Sequence, residues 1–135
     1  MKEKAYGGVV INPEGRILLR EPRGHFDGYV WTFPKGRQEH GDFPKVTALR
    51  EVLEETGIRA EIRERLQGIY EGRTTENIFF LMSLIEDTGK FDGETQSVRW
   101  VTPGEARDLI SMTTNQIGRK RDLKVLEVLQ HWMIK

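Results

Sequence analysis

Cysteine is missing from all 135 residues, which excludes disulfides and thiolate ligands, so any bound metal must be held by oxygen or imidazole. Net charge is missing as well. The 21 basic side chains balance 21 acidic ones, leaving no overall field to draw the molecule onto nucleic acid or an anionic membrane. Any steering must come from local patches. No apolar run approaches the roughly 20 residues of a membrane span. The opening MKEKAYGGVVIN is charged and then strand-like, without the apolar run and small-residue cleavage site of a signal peptide. Repeats, low-complexity tracts and Pro/Ser-rich linkers are absent too, so no seam divides the chain. A chain this long can bury roughly two thirds of its unfolded surface. The expectation is one domain over residues 1–135, soluble and cytoplasmic.

The segments that are present alternate between strand and helix patterns. Ala5 to Ile11 and Arg16 to Arg20 are β-rich and flank the turn-forming Asn12-Pro13-Glu14-Gly15, which predicts paired strands. EPRGHFDG, residues 21–28, reads as a polar loop, and Tyr29 to Phe33 as a short aromatic strand stopped by Pro34. Further strands are expected over Ile58–Tyr70, Glu76–Ile85 and Ser97–Val101, and a short helix over Pro103–Ile110. A second helix, Ile117–Met133, spaces Leu123, Leu126, Leu129 and Met133 by three and four residues, with Val125, Val128 and Trp132 widening the stripe. Trp31, Trp100 and Trp132 are assigned to the core. Strands interspersed with helices predict an α/β fold, a mixed sheet with helices on its faces.

The remaining helix, Phe43 to Thr56, carries the chemistry. Asp42 stands where an N-cap is wanted, Pro44 where no amide donor is needed, and Gly57 where a left-handed stop is wanted, with Ile58 set to fold back onto Leu53. Val46, Leu49, Val52 and Leu53 supply an apolar face. Glu51, Glu54 and Glu55 lie at i, i+3 and i+4 and project together, with Arg50 four residues from Glu54. Alone, such a cluster reads as a solvated acidic face. The preceding loop, Phe33 to Gly41, changes that reading. Gly36 and Gly41 let the backbone approach a ligand, and Lys35 and Arg37 offer donors suited to phosphate. A hard divalent ion that shares its shell among carboxylates, waters and substrate phosphates matches this equipment.

Gly36, Arg50-Glu51-Val52, Glu54-Glu55 and Gly57-Ile58 resemble the Nudix box, G-x5-E-x7-R-E-U-x-E-E-x-G-U with U aliphatic. Only one specified position departs, Asp42 in place of the first glutamate. Such agreement arises by chance on the order of once in 10⁸ starts at ordinary residue frequencies. The flanks AYGGVVIN, GRILLRE, WTFPKG and SVRWVTPGEA are similar to the family as well.

The resemblance implies a single Nudix hydrolase domain, an α/β/α sandwich. It implies metal-dependent hydrolysis of a phosphoanhydride in a nucleoside diphosphate-linked compound, with Mg²⁺ or Mn²⁺ as cofactor. By the family pattern Glu54 and Glu55 are metal ligands, the Gly36 carbonyl is a candidate third, Glu51 is a ligand or the base, and Arg50 orients the glutamates. Glu94, with Asp92 behind it, is a candidate accessory base or ligand, since Gln96 stands at the expected acidic position. Lys35, Arg37, Arg23 and Tyr70 are expected to meet substrate, with Glu71 and Arg73 nearby, and Phe26, Tyr29 or Phe33 are candidates to stack on a base. His40 lies beside the implied metal site and reads as a loop-exposed histidine. The WTFPKG segment and the basic Arg119-Lys120-Arg121 favour a nucleoside or dinucleoside polyphosphate, or a diphosphoinositol polyphosphate. ADP-ribose, a nucleoside triphosphate or an RNA 5′ end stay open as substrates, as does a non-catalytic nucleotide-binding module. The loss of metal carboxylates that marks degenerate members is not seen here. No membrane partner is expected. A homodimer stands as an even alternative to a monomer, because the C-terminal stripe suits either intramolecular packing or a second copy.

Overall fold

β-Branched and aromatic side chains concentrate where the strands form, and the turn residues between them separate the pairs. In the computed structural model, which describes residues 2–133, the strands are β1 Glu3–Ile11, β2 Ile17–Pro22, β3 Lys35–Arg37, β4 Ile58–Arg65, β5 Tyr70–Glu71, β6 Thr75–Asp87 and β7 Thr95–Val101. They join in one sheet with the path β4-β6-β1-β2-β7, to which β3 adds along β1 and β5 along β6. β1 pairs with β6 in parallel and every other pairing is antiparallel. The sheet is therefore mixed, as expected.

Alternation on β1 divides the core. Val9 faces a cluster with Leu19, Phe33, Phe79, Leu126 and Leu129, whereas Val10 faces another with Leu18, Ala48, Val52, Ile58 and Met82. Helix α1, Pro44–Thr56, covers the second face, and α2, Pro103–Ile110, and α3, Gln116–Met133, cover the first. The result is the α/β/α sandwich. Among the described residues no helix is long and apolar enough to cross a membrane.

Four local expectations are corrected. Tyr29–Phe33 is not a strand: between the left-handed Gly28 and Pro34 it makes only a bridge, with Thr32 and Arg20 exchanging backbone hydrogen bonds of 2.9 and 3.0 Å. Pairing resumes one step later, as β3. Residues 21–28 are not loop throughout: Glu21 and Pro22 finish β2, and Arg23–Gly28 then turn tightly, with Gly24, His25, Asp27 and Gly28 in the left-handed region. The stretch 58–70 divides at Leu66–Ile69 into β4 and β5. On α3 the stripe is shifted: Val125, Leu126 and Leu129 are buried, but Trp132 is 36% exposed and donates its indole N–H to Glu64 at 2.9 Å. Trp31 is buried and Trp100 is half-buried against the second cluster.

Candidate active site

Helix α1 starts and stops close to where its residues say it should, but its cap is different. Pro44 is the first helical residue and Phe43 precedes it without any side-chain cap. Asp42 is instead turned back into the loop: its amide donates to the Glu39 carbonyl at 3.0 Å, and its carbonyl accepts from the Gln38 side chain. Its carboxylate sits 3.5 Å from Arg50 Nε. Gly57 closes the helix at φ 75°, donating to the Leu53 carbonyl at 2.9 Å. The expected apolar face is rotated. Thr47, Ala48, Val52, Glu55 and Thr56 are buried, whereas Val46 and Leu53 are exposed, and Ile58 packs with Val52 and Ala48 rather than folding back on Leu53.

That rotation brings Glu55 inward. Its carboxylate accepts the Lys35 amide at 3.1 Å and lies 3.7 Å from Arg20 Nε. Burial pushes its carboxyl up to about 8, against the pull of Arg20 and Lys35. Lys35, half-buried, is pushed down to about 8 by desolvation and by the neighbouring charge of Arg121. Glu51 is held by Arg50 at 2.9 Å, and Glu54 by the same nitrogen at 3.2 Å, while Glu39 lies 3.2 Å away. Burial also raises the Glu51 carboxyl, with the charges of Glu54 and Glu94 adding to the effect. One guanidinium thus gathers four carboxylates. Gly36 is pressed against this group: a Cβ there would stand 1.9 Å from Glu51 Oε2, so any side chain at this position must displace that carboxylate.

A cleft of about 500 Å³ opens beside Gly36, lined by six basic and three acidic side chains. Lys35, Arg37, Arg23 and Glu94 all line it. The Glu94 carbonyl accepts from Arg20 Nη2 at 2.9 Å and from the Arg23 amide at 2.9 Å, which ties β2 to the loop before β7. Phe26, Tyr29, Phe33 and Arg73 also line the cleft, but Phe33 is 1% exposed and Phe26 is 77% exposed. Tyr70 is placed otherwise than expected. It is buried in the core edge-on to Phe79 at 5.9 Å, with its hydroxyl committed to the Gln67 carbonyl, because strand alternation turns Tyr70 to the core face of β5 and Glu71 outward. Glu51 and Glu54 do not line the cleft either; Gly36, against Glu51, and Arg37, whose carbonyl accepts from Arg50, touch both regions.

Sequence reasoning missed Arg20 and Asp122, and read Arg121 only as part of the basic run 119–121. Arg20 lies in a strand that reads as core, and its partners, Glu55 and Thr95, are distant along the chain. Asp122 accepts the Thr32 hydroxyl at 2.6 Å, again a pairing of distant segments.

Among the described residues no three acidic or histidine side chains already converge as a cation cage. The donor set nonetheless suits a hard divalent ion. Carboxylates and a carbonyl are its preferred ligands, and Mg²⁺ commonly uses only one or two carboxylates beside waters and substrate phosphates. Glu51 Oε2, directed at Gly36 while Oε1 holds Arg50, is such a carboxylate oxygen.

Comparison with known proteins supports the same conclusion from outside. The NUDIX domain family matches residues 1–123. A MutT-like protein of Streptomyces ambofaciens is 36% identical over 104 residues, covering 75% of this chain and 64% of that protein. A Bacillus subtilis protein bearing the provisional name 8-oxo-dGTP diphosphatase is 33% identical over 119 residues, covering 86% and 76%. The chain thus spans just under two thirds of the first relative and about three quarters of the second. In fold it is similar to a NUDIX hydrolase from Nitrosomonas europaea, with a TM-score of 0.79 at 21% identity over 97% of this chain and 90% of that one. It is also similar to a C. elegans Ap4A hydrolase, with a TM-score of 0.72 at 23% identity over 98% of both. The Nudix box, the sandwich and the matched relatives agree, and the chain belongs to the Nudix hydrolase family.

Proposed function

We propose that this chain, as a single domain, hydrolyses a phosphoanhydride in a nucleoside diphosphate-linked compound, with a nucleoside or dinucleoside polyphosphate favoured. The observation that carries the reading is the pairing of two environments across Gly36: carboxylates gathered by Arg50 on one side, a mainly cationic cleft on the other. Phosphoryl transfer needs little covalent help and gains chiefly from positioning and from neutralising charge on phosphate oxygens.

Glu51, Glu54 and Glu55, with the Gly36 carbonyl, are the residues that would hold Mg²⁺ or Mn²⁺. When bound, such an ion supplies charge neutralisation at phosphate oxygens and a more acidic water. Arg50 orients Glu51 and Glu54, and its own ion pairs with Asp42 and Glu39 keep it in place. Glu51 or Glu54 receives the proton of the attacking water, and Glu94 is an accessory base or ligand from the opposite wall. Lys35, Arg37 and Arg23 meet the phosphate chain. An RNA 5′ end is an extended form of the same substrate chemistry, and a Caulobacter vibrioides protein named RNA pyrophosphohydrolase is 36% identical over 63 residues, covering 46% of this chain and 37% of that protein. Placement in the cytoplasm fits these substrates.

A panel of dinucleoside polyphosphates, nucleoside triphosphates, ADP-ribose and inositol pyrophosphates, assayed with Mg²⁺ for phosphate-containing products, tests the proposal. Turnover of at least one member is expected, and Glu54→Gln or Glu55→Gln should reduce it by roughly a hundredfold or more. Unchanged turnover in both variants would overturn the assignment.

A further inference from the structure

We infer that Arg121 reads an oxyanion at the inner end of the cleft, so that the substrate carries a phosphate group there in addition to the anhydride that is cleaved; this rests on the hydrolase reading of the same site. Of the three consecutive basic residues on α3, Lys120 is exposed and Arg119 donates to the Thr113 carbonyl at 2.8 Å. Arg121 turns inward, 4% exposed, and lines the cleft with Lys35.

One side of its guanidinium is anchored. Nε donates to Asp122 at 3.0 Å, and Asp122 is fixed by the Thr32 hydroxyl. The guanidinium carbon lies 5.3 Å from the centroid of the Tyr29 ring, a cation–π distance. That ring is seated against α3 at Gly118, where a Cβ would come within 2.4 Å of the tyrosine oxygen. Nη2 is left over. It is buried, and it has no hydrogen-bond partner among the described residues.

A guanidinium is donor-only, and a buried donor without an acceptor is costly. An acceptor from outside the chain removes that cost. Among the described residues Arg20, Arg23, Arg37 and Arg73, the other arginines of the cleft, leave no buried side-chain nitrogen without a partner. Arg20, Lys35 and Arg121 line the cleft along with Glu55, while Asp122 sits beneath Arg121, so the basic groups outnumber the acidic ones and positive charge is left in excess. A neutral carbonyl satisfies the free N–H but not that excess charge. An oxyanion satisfies both, and charge-assisted hydrogen bonds are the stronger kind.

The test is the binding of inorganic tripolyphosphate, measured by calorimetry without divalent metal, with guanosine and adenosine as phosphate-free comparisons. Arg121→Lys keeps the charge and removes Nη2, and it should weaken tripolyphosphate about tenfold. Lys120→Gln, on the exposed side of the same helix, should leave it unchanged. In turnover of a nucleoside triphosphate, Arg121→Lys should raise KM by a similar factor and leave kcat within about threefold. Independently of any variant that fails to fold, the ¹⁵N–H resonance of Arg121 Nε in the native protein should shift as tripolyphosphate is added. Equal tripolyphosphate affinity in Arg121→Lys, a loss that falls on nucleoside binding instead, or an Arg121 resonance that stays put at saturation overturns the proposal. Lack of turnover across the nucleotide panel would sink the hydrolase reading while these binding results stood, so the two failures are distinguishable.

Discussion

At Glu55 a carboxylate is buried beside Arg20 and Lys35, and its carboxyl is raised from the ordinary 4.5 to about 8. The protonated form is the one the metal-free fold favours. Its contribution to stability is fully present below about 4.5 and is lost as pH rises through about 8. Lys35, lowered from 10.5 to about 8, acts in a separate window: its contribution appears as pH rises above 8. Thermal unfolding of metal-free protein should therefore show a loss between about pH 5 and pH 8 that Glu55→Gln removes. A difference between the two proteins that stays flat across that range would contradict the buried, raised carboxyl. Gly36 makes a second residue-level prediction. With Glu51 Oε2 only 1.9 Å from the site of a new Cβ, Gly36→Ala must displace the carboxylate or the strand. We expect turnover to fall by roughly a hundredfold while the protein stays folded, since a small displacement of a reacting group is costly. Glu51 and Glu54 were legible from their spacing on one helical face, and Gly36 from its place in the preceding loop and in the box pattern. Arg20 was not, because its partners Glu55 and Thr95 are distant along the chain, and Arg121 was legible only as one of three consecutive basic residues, its inward turn being set by tertiary packing.

On the scale of elements, α1 shows where local reasoning holds and where tertiary packing overrides it. Gly57 was readable as a stop because φ 75° suits glycine, and the site of a Cβ is crowded by the Lys90 backbone at 2.8 to 3.0 Å. Gly57→Ala should cost at least about 1 kcal/mol in denaturant unfolding, since the left-handed conformation alone is that unfavourable for an L-residue. A smaller loss would show that the helix end relaxes. Asp42 misled for the opposite reason: its type suits a cap, but Arg50 competes for its carboxylate. The helical face was misread because hydrophobicity alone favours Leu53 over Glu55, whereas packing on β1 and β4 buries Glu55 and leaves Leu53 39% exposed. Helix α2 behaves locally throughout. Thr102 and Glu105 exchange capping hydrogen bonds of 2.8 and 3.2 Å around Pro103, so its limits agree with the sequence expectation.

For the whole molecule, the division of labour between the two sheet faces sets the consequences of mutation. The face covered by α2 and α3 carries much of the large-residue core, and Leu129 is fully buried in it. Leu129→Ala should lower stability by about 2–5 kcal/mol, read by denaturant unfolding. A cost below about 1 kcal/mol would mean that the helix repacks. The face under α1 carries Gly36 and the carboxylates, so its variants should change turnover more than stability. The mixed sheet was legible from the strand pattern, but the parallel β1–β6 pairing was not, since it joins residues about seventy apart along the chain. The central claim is that this chain adds water across a phosphoanhydride with metal held by the α1 carboxylates. It is tested most directly by ³¹P NMR of the panel substrates in ¹⁸O-enriched water, with and without Mg²⁺. The account predicts Mg²⁺-dependent cleavage that places one ¹⁸O on a product phosphate, abolished in Glu54→Gln. Cleavage that is indifferent to Mg²⁺ and to Glu54, or no cleavage of any substrate, would contradict it.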